Sequence, residues 1–341
     1  MRVLIIKTSS LGDVIHTLPA ITDAAAAIPG IRFDWVVEES FAEVPRWHPA
    51  VDRVIPVALR RWRKDWRAAK DSGEWQAFVE QLRADEYDAV IDAQGLIKSA
   101  WLARKAHGTR HGLSWRSARE PLASLAYQRR HRISWRQHAV SRVRQLFGAA
   151  LGYRPPIGLP DYGIPKLGEP AAQPYVLFFH GTTWTTKHYP VPYWCALAQQ
   201  VTQAGYEVHL PWGSEPERAR AQRIAEGNDA VRVLPAMNLA ALAMEISAAR
   251  GVVAVDTGLS HLVVAFGVPQ VAIYGATDPA RTGAYGKAQF HLKSDFDCAP
   301  CLRRECRYDG ESAQKPACYD RLPPAEVFEC LIGQIDTYRG G

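Results

Sequence analysis

The residues best suited to chemistry sit in three short polar stretches, each preceded by a run of apolar residues. In Lys7-Thr8-Ser9-Ser10-Leu11-Gly12-Asp13 a carboxylate lies close in sequence to an ammonium and three hydroxyls. Asp13 in such a turn can take a proton as a general base. The plainer reading is a helix N-cap, for which Asp is among the best residues. In His180-Gly181-Thr182-Thr183-Trp184-Thr185-Thr186-Lys187 a glycine, four hydroxyls and a lysine suit phosphate oxygens. The Gly-Lys-Ser/Thr ending of a Walker A loop is absent. In Asp256-Thr257-Gly258 a glycine turn precedes the short apolar segment that starts at Leu259. Backbone N–H groups at such a helix start attract phosphate, and an ordinary βα loop capped by Asp or Thr has the same pattern.

Four more groups carry charge or metal-ligating atoms. Glu217 falls near the start of a helical stretch, where a carboxylate can hydrogen-bond ribose hydroxyls or complement the helix dipole. The run Arg60-Arg61-Trp62-Arg63-Lys64-Asp65-Trp66-Arg67 offers guanidinium forks to carboxylate or phosphate oxygens; a solvated charged helix is the plainer reading. Arg116, Arg119, Arg129, Arg130, Arg132 and Arg136 add positive charge in a region of little apolar periodicity. No nucleic-acid motif accompanies these tracts. Four of the six cysteines read Cys298-x2-Cys301-x4-Cys306-x11-Cys318. Four thiolates in such a span can hold zinc or iron; reduced thiols packing a loop, or a labile disulfide, fit the spacing too. Asp295-Phe296-Asp297 matches the D-x-D pattern of metal-dependent sugar transferases, but such pairs arise often by chance and it is set aside.

Hydrophobic patterning supplies the scaffold for these stretches. Arg2 to Ile6, Ile31 to Val37, Val51 to Val57 and Tyr87 to Ala93 read as strands. Val14, Leu18, Ile21 and Ala25 recur at helical spacing, with Pro19 either beginning or bending that helix. A stretch with six prolines, residues 153–174, then interrupts the pattern and predicts a domain boundary. Beyond it come strands at 175–179, 207–210, 252–255 and 271–274. Helices are predicted from Trp194, near Glu217, from Leu239 and from Leu259, the last stopped by Gly267. Buried strands alternating with helices predict parallel α/β sheets in two halves. Each polar stretch therefore stands at the carboxyl end of a strand, where open α/β sheets bind ligands.

The 341 residues suffice for two domains. With 47% apolar and 22% charged residues, the composition is that of a globular protein with a full core. A net charge of +6 and eleven tryptophans suit an anionic substrate, an anionic membrane surface or nucleic acid. Only four apolar residues precede Lys7, so no signal peptide is read, and no apolar run approaches a bilayer span. The cytoplasm is the expected compartment.

Taken together, KTSSLGDVIHTLPA at 7–20, FDWVVEE at 33–39, IPVALRRWRK at 55–64, IDAQGLIKSA at 91–100, SAREPLAS at 117–124, HGTTWTTKHYP at 180–190, LPWGS at 210–214 and VDTGLSHL at 255–262 resemble glycosyltransferase family 9, the ADP-heptose:lipopolysaccharide heptosyltransferases. The resemblance runs over nearly the whole chain, and KTSSLGD is similar to the branch that adds the first inner-core heptose. It implies a GT-B architecture, two Rossmann-like domains facing across a cleft: residues 1–160 for the acceptor, 161–325 for ADP-heptose, and a C-terminal helix, 326–341, crossing back to the first domain. The implied reaction is inverting transfer of L-glycero-D-manno-heptose to a Kdo residue of Kdo-lipid A, with no cofactor and no catalytic metal. The alternative is a transferase using the same donor on a protein or a later core sugar. The resemblance makes Asp13 the base and gives Lys187 a part in catalysis. It assigns Thr182, Thr183, Lys187, Glu217, Met237, Asp256, Thr257, Gly258 and His261 to the donor. It assigns Lys7, Arg60, Arg61, Arg63, Lys64 and Arg119 to the acceptor. Peripheral contact with the cytoplasmic face of the inner membrane, and no nucleic-acid partner, complete the expectation.

Overall fold

Strands whose residues are almost all Val, Ile, Leu or aromatic have no polar face and are stable only when covered on both sides. This chain builds two such sheets. The structure, a computed structural model, describes residues 1–169 and 171–338. Two α/β units emerge, Met1–Pro165 and Lys166–Gly341, and their boundary falls inside the proline-rich stretch.

The first unit has six parallel strands: β1 (Arg2–Ile6), β2 (Arg32–Glu38), β3 (Val51–Val57), β4 (Glu86–Asp92), β5 (His107–Leu113) and β6 (Arg129–His131). Their order in the sheet is β3-β2-β1-β4-β5-β6. The second unit has β7 (Tyr175–Phe179), β8 (Glu207–Leu210), β9 (Val231–Val233), β10 (Gly251–Val255), β11 (Gln270–Tyr274) and β12 (Gln289–Lys293). Their order, β12-β11-β10-β7-β8-β9, is the same arrangement built a second time. Both sheets reverse direction of winding beside their first strand, between β1 and β4 and between β7 and β10. That is the Rossmann switch point, the place in such sheets where a crevice opens for a ligand.

Pro19 begins a helix rather than bending one. The helix Leu11–Ile15 ends first, and Leu18–Ala27 starts with Pro19 in its first turn, where a missing N–H costs nothing. Arg144 on the helix Ala139–Leu151 reaches Asp23 on Leu18–Ala27 at 2.6 and 3.1 Å, a bidentate pair that is buried on both sides. The helix Pro324–Thr337 lies on the second sheet, burying Val327, Leu331 and Ile335 beneath β10 and β11. Residues 339–341, the end of the expected terminal helix, lie outside the described residues.

Candidate active-site loops

The loop after β1 is held by residues from the neighbouring strand. Asp92 at the end of β4 is fully buried. One of its oxygens accepts the N–H groups of Gln94 and Gly95 at 2.8 and 3.1 Å, and the other accepts the hydroxyls of Ser99 and Tyr127 at 2.8 and 2.7 Å. Burial pushes its carboxyl above the ordinary value against the pull of these bonds. The tight turn needs Gly95, whose φ is +69°. Gln94, fixed this way, accepts the Thr8 and Ser9 N–H groups at 2.8 and 3.3 Å and donates back to the Ser9 carbonyl. The polar loop therefore takes its shape from a glutamine eighty-six positions beyond Thr8.

Asp13 stands in the first turn of Leu11–Ile15, one turn inside the N-cap position that belongs to Ser10. One carboxylate oxygen accepts the Ser10 N–H at 3.0 Å and the Ser10 hydroxyl at 3.2 Å. The other lies 3.4 Å from the Lys7 ammonium. Burial raises the Asp13 pKa, but Lys7 and the Ser10 bonds together outweigh it and hold the carboxyl below its ordinary value. Asp13 is thus ionised at neutral pH and partly exposed, at 39% of its side chain. Lys7 is buried and also donates to the Ala93 carbonyl at 3.1 Å.

In the second unit the loops after β7 and β10 are joined by one ion pair. Lys187 lies 2.6 Å from Asp256, which also accepts the Thr277 hydroxyl at 2.7 Å. Thr182 donates its hydroxyl to the Asp256 carbonyl at 3.0 Å. Thr183 is exposed, Thr257 half-buried, Gly258 exposed at the start of the helix Leu259–Ala265, and His261 buried one turn later. Glu217, in the first turn of the helix Glu215–Ala225, accepts the Gly213 N–H at 2.8 Å. Its carboxyl lies so close to Gly181 that a Cβ there would collide with it. Met237 is half-buried just ahead of the helix Leu239–Ala248. The structure thus gathers Thr182, Lys187 and Asp256 into direct contact and sets Glu217 against the loop after β7.

The loop that contains the cysteines braces this arrangement through its backbone. Thr185 and Thr186 donate their hydroxyls to the carbonyls of Arg304 and Arg303 at 2.7 and 2.6 Å, and the Tyr319 hydroxyl donates to the Thr186 carbonyl at 3.2 Å. The Lys187 ammonium and the Arg304 guanidinium flank the Trp184 ring at 4.5 and 5.6 Å from its centroid. Among the described residues no three His, Cys, Asp or Glu side chains are arranged to hold a metal ion. Cys298, Cys301 and Cys306 lie near enough to Cys318 to act on its charge. All four are free thiols, two of them exposed. Cys318 is buried, and burial followed by the neighbouring thiols pushes it up to about 12, which keeps it protonated.

The basic run at the end of β3 is partly spoken for. Arg60 donates its backbone N–H to Glu38 at 3.0 Å, and its guanidinium lies over Phe41. Arg61 is paired with Glu39 and Glu74 at 3.2 and 2.8 Å. Arg63, Lys64 and Arg119 are exposed. Arg119 is placed by its neighbour Glu120, whose N–H donates to the Gly95 carbonyl and whose carboxylate accepts the Ile97 N–H.

Sequence comparison agrees with this geometry. The model of glycosyltransferase family 9 (heptosyltransferase) matches residues 75–311. The chain is 54% identical to lipopolysaccharide heptosyltransferase 1 of Pseudomonas aeruginosa, over 99% of this chain and all of that protein. It is also 54% identical to lipopolysaccharide heptosyltransferase 1 of Escherichia coli, over 85% of this chain and 92% of that one. The solved structure of E. coli heptosyltransferase WaaC with ADP-2-deoxy-2-fluoro heptose superposes with a TM-score of 0.83 at 46% identity, covering both chains fully. These two Rossmann-like units have the make-up of the GT-B class, and with the family model and full-length relatives they place the chain in glycosyltransferase family 9, the heptosyltransferases.

Proposed function

We propose that this glycosyltransferase moves L-glycero-D-manno-heptose from ADP-heptose to a Kdo residue of Kdo-lipid A, inverting the anomeric centre in one displacement. The observation that carries the reading is the division of chemistry between the two switch-point loops. One presents an ionised, half-exposed carboxylate at Asp13, and the other presents an ammonium at Lys187 amid threonine hydroxyls. In the reaction the Kdo hydroxyl oxygen attacks the heptose C1 and its proton passes to Asp13. The bond from C1 to the diphosphate breaks, and ADP departs with the electron pair. Lys187, Thr182 and Thr183 meet the charge that grows on the diphosphate, with Thr257, Gly258 and His261 beside it and Asp256 positioning Lys187. Glu217 takes the ribose hydroxyls and Met237 faces the adenine. Lys7, Arg60, Arg61, Arg63, Lys64 and Arg119 meet the carboxylates and phosphates of the acceptor.

An acceptor carried by lipid A brings the enzyme to the cytoplasmic face of the inner membrane as a peripheral protein. No described helix is long and apolar enough to cross a membrane. The test is ADP release from ADP-heptose with Kdo-lipid A and with the same lipid lacking Kdo. Turnover is expected with the first only; equal turnover with both would remove Kdo as the acceptor.

A further inference from the structure

The first unit exposes apolar side chains on one connected strip of its surface. Ile97 and Trp101 stand one turn apart on the helix Ile97–Ala103 and are 51% and 38% exposed. That helix packs against the 3-10 turn Pro121–Ala126 through Ala100 and Ala123. Leu122 and Leu125 of the turn are 56% and 62% exposed; with about three residues per turn, positions three apart face the same way. On the other side, Trp101 stacks on Trp75 at 4.6 Å between centroids, and Trp66 closes on Trp101 at 6.0 Å.

The strip has a cationic rim. Lys105 lies over the Trp101 ring at 5.4 Å, and Lys98 is exposed beside Ile97. Between positions 60 and 70 stand six cations, Arg60, Arg61, Arg63, Lys64, Arg67 and Lys70, with one carboxylate among them in sequence, Asp65; Arg61 is paired with Glu39 and Glu74, and Arg63, Lys64, Arg67 and Lys70 are exposed. Tryptophans and leucines rimmed by lysine and arginine are the composition of a surface that settles at the headgroup boundary of an anionic bilayer: rings and aliphatic groups enter the interface and cations meet lipid phosphates. A neutral protein partner would leave the cations without counter-charges. Ile97 also follows Gln94 by three residues, so the strip begins at the carboxyl edge of the first sheet, beside the loop that carries Asp13.

From this we infer that the face formed by Trp66, Trp101, Ile97, Leu122 and Leu125 docks on an anionic phospholipid bilayer and holds the loop of Asp13 at the membrane surface. The inference rests on the peripheral membrane contact proposed above and names the surface responsible. The experiment is flotation with vesicles of phosphatidylethanolamine and phosphatidylglycerol that contain no acceptor. It compares the wild type with the double variant Leu122→Ser/Leu125→Ser and with Trp101→Ser. The double variant changes only exposed side chains, so it keeps the test independent of any damage to the Trp75 stack.

The wild type is expected to float, and each variant to partition about tenfold less, given that membrane affinity scales with buried apolar area. Both variants should turn over a deacylated Kdo-bearing acceptor at the wild-type rate. Equal flotation of wild type and variants would overturn the docking face while leaving membrane contact standing. A wild type that ignores vesicles both with and without Kdo-lipid A would overturn both, and flotation only when Kdo-lipid A is included would overturn docking on the phospholipid and leave the acceptor as what holds the enzyme to the membrane. A change in self-association seen by sedimentation, with flotation unaltered, would make the strip a contact between copies and overturn the inference.

Discussion

At the level of single residues, Asp13 proves to be the capping-box partner of the N-cap Ser10 rather than the N-cap itself, and its proposed part as a base is a separate matter. One oxygen takes the Ser10 N–H that a helix start leaves over, and the other faces Lys7. Asp13→Asn separates the two readings, because an amide oxygen still accepts from Ser10 but takes up no proton. Turnover is expected to fall by about 10²–10⁴-fold, the usual worth of a positioned base, with ADP affinity and melting temperature nearly unchanged. Steady-state kinetics beside ADP calorimetry checks this, and near-normal turnover would leave Asp13 as a cap alone. Lys187→Ala removes the charge nearest the proposed leaving group. We expect kcat to fall by about 10²–10³-fold, comparable to losing a transition-state donor, and the KM for ADP-heptose to rise. A variant unchanged in both would exclude Lys187 from the chemistry.

At the level of elements, the loop after β1 depends on a side chain that follows another strand. Gln94→Leu leaves the Thr8 and Ser9 N–H groups without their acceptor. Stability should drop by about 1–3 kcal/mol, the cost of stranding buried donors, and kcat should fall because the loop that carries Asp13 loses its brace. Urea melts and kinetics measure the two effects; full activity would show that the loop keeps its form without it. The sequence contained the glutamine but not its role, because nothing in a linear pattern says that β4 lies beside β1. The same limit governs the strands. Those at the centre, such as β1, β7, β10 and β11, are buried on both faces and read as continuous apolar runs. By contrast β5 (HGTRHGL), β6 (RRH) and β12 (QFHLK) lie at or near sheet edges, half-exposed and polar, and their composition hides them. The polar turns after β1, β7 and β10 were legible as loops at the carboxyl ends of strands because they follow recognisable apolar runs. The contact between Lys187 and Asp256 was not, since it needs the adjacency of β7 and β10.

For the molecule as a whole, acid sensitivity follows from buried histidines in each unit. His48 accepts the Ala50 N–H at Nδ1 and meets the Thr22 hydroxyl at Nε2; a proton on Nδ1 would end the first bond. Burial lowers His48 to about 4, and burial with the nearby Arg220 lowers His180 to about 4. Both folded values lie below the unfolded value of 6.5. The unfolded chain therefore binds more protons in this range, and stability falls as pH drops from about 6.5 toward 4. Thermal melts across that window should show a progressive loss, reduced in His48→Gln. A flat profile would mean that these histidines are protonated without cost. Lys7 and the Ser10 bonds hold Asp13 below its ordinary value, so it keeps its charge through the window in which the histidines take up protons.

The salt bridge between Lys187 and Asp256 gives the proposed donor loop an internal competitor. On that reading a diphosphate entering there would share or take an ammonium that a carboxylate already holds at 2.6 Å. Once the sugar had gone, the same carboxylate would compete with spent ADP for its partner, and product release would not depend on solvent alone.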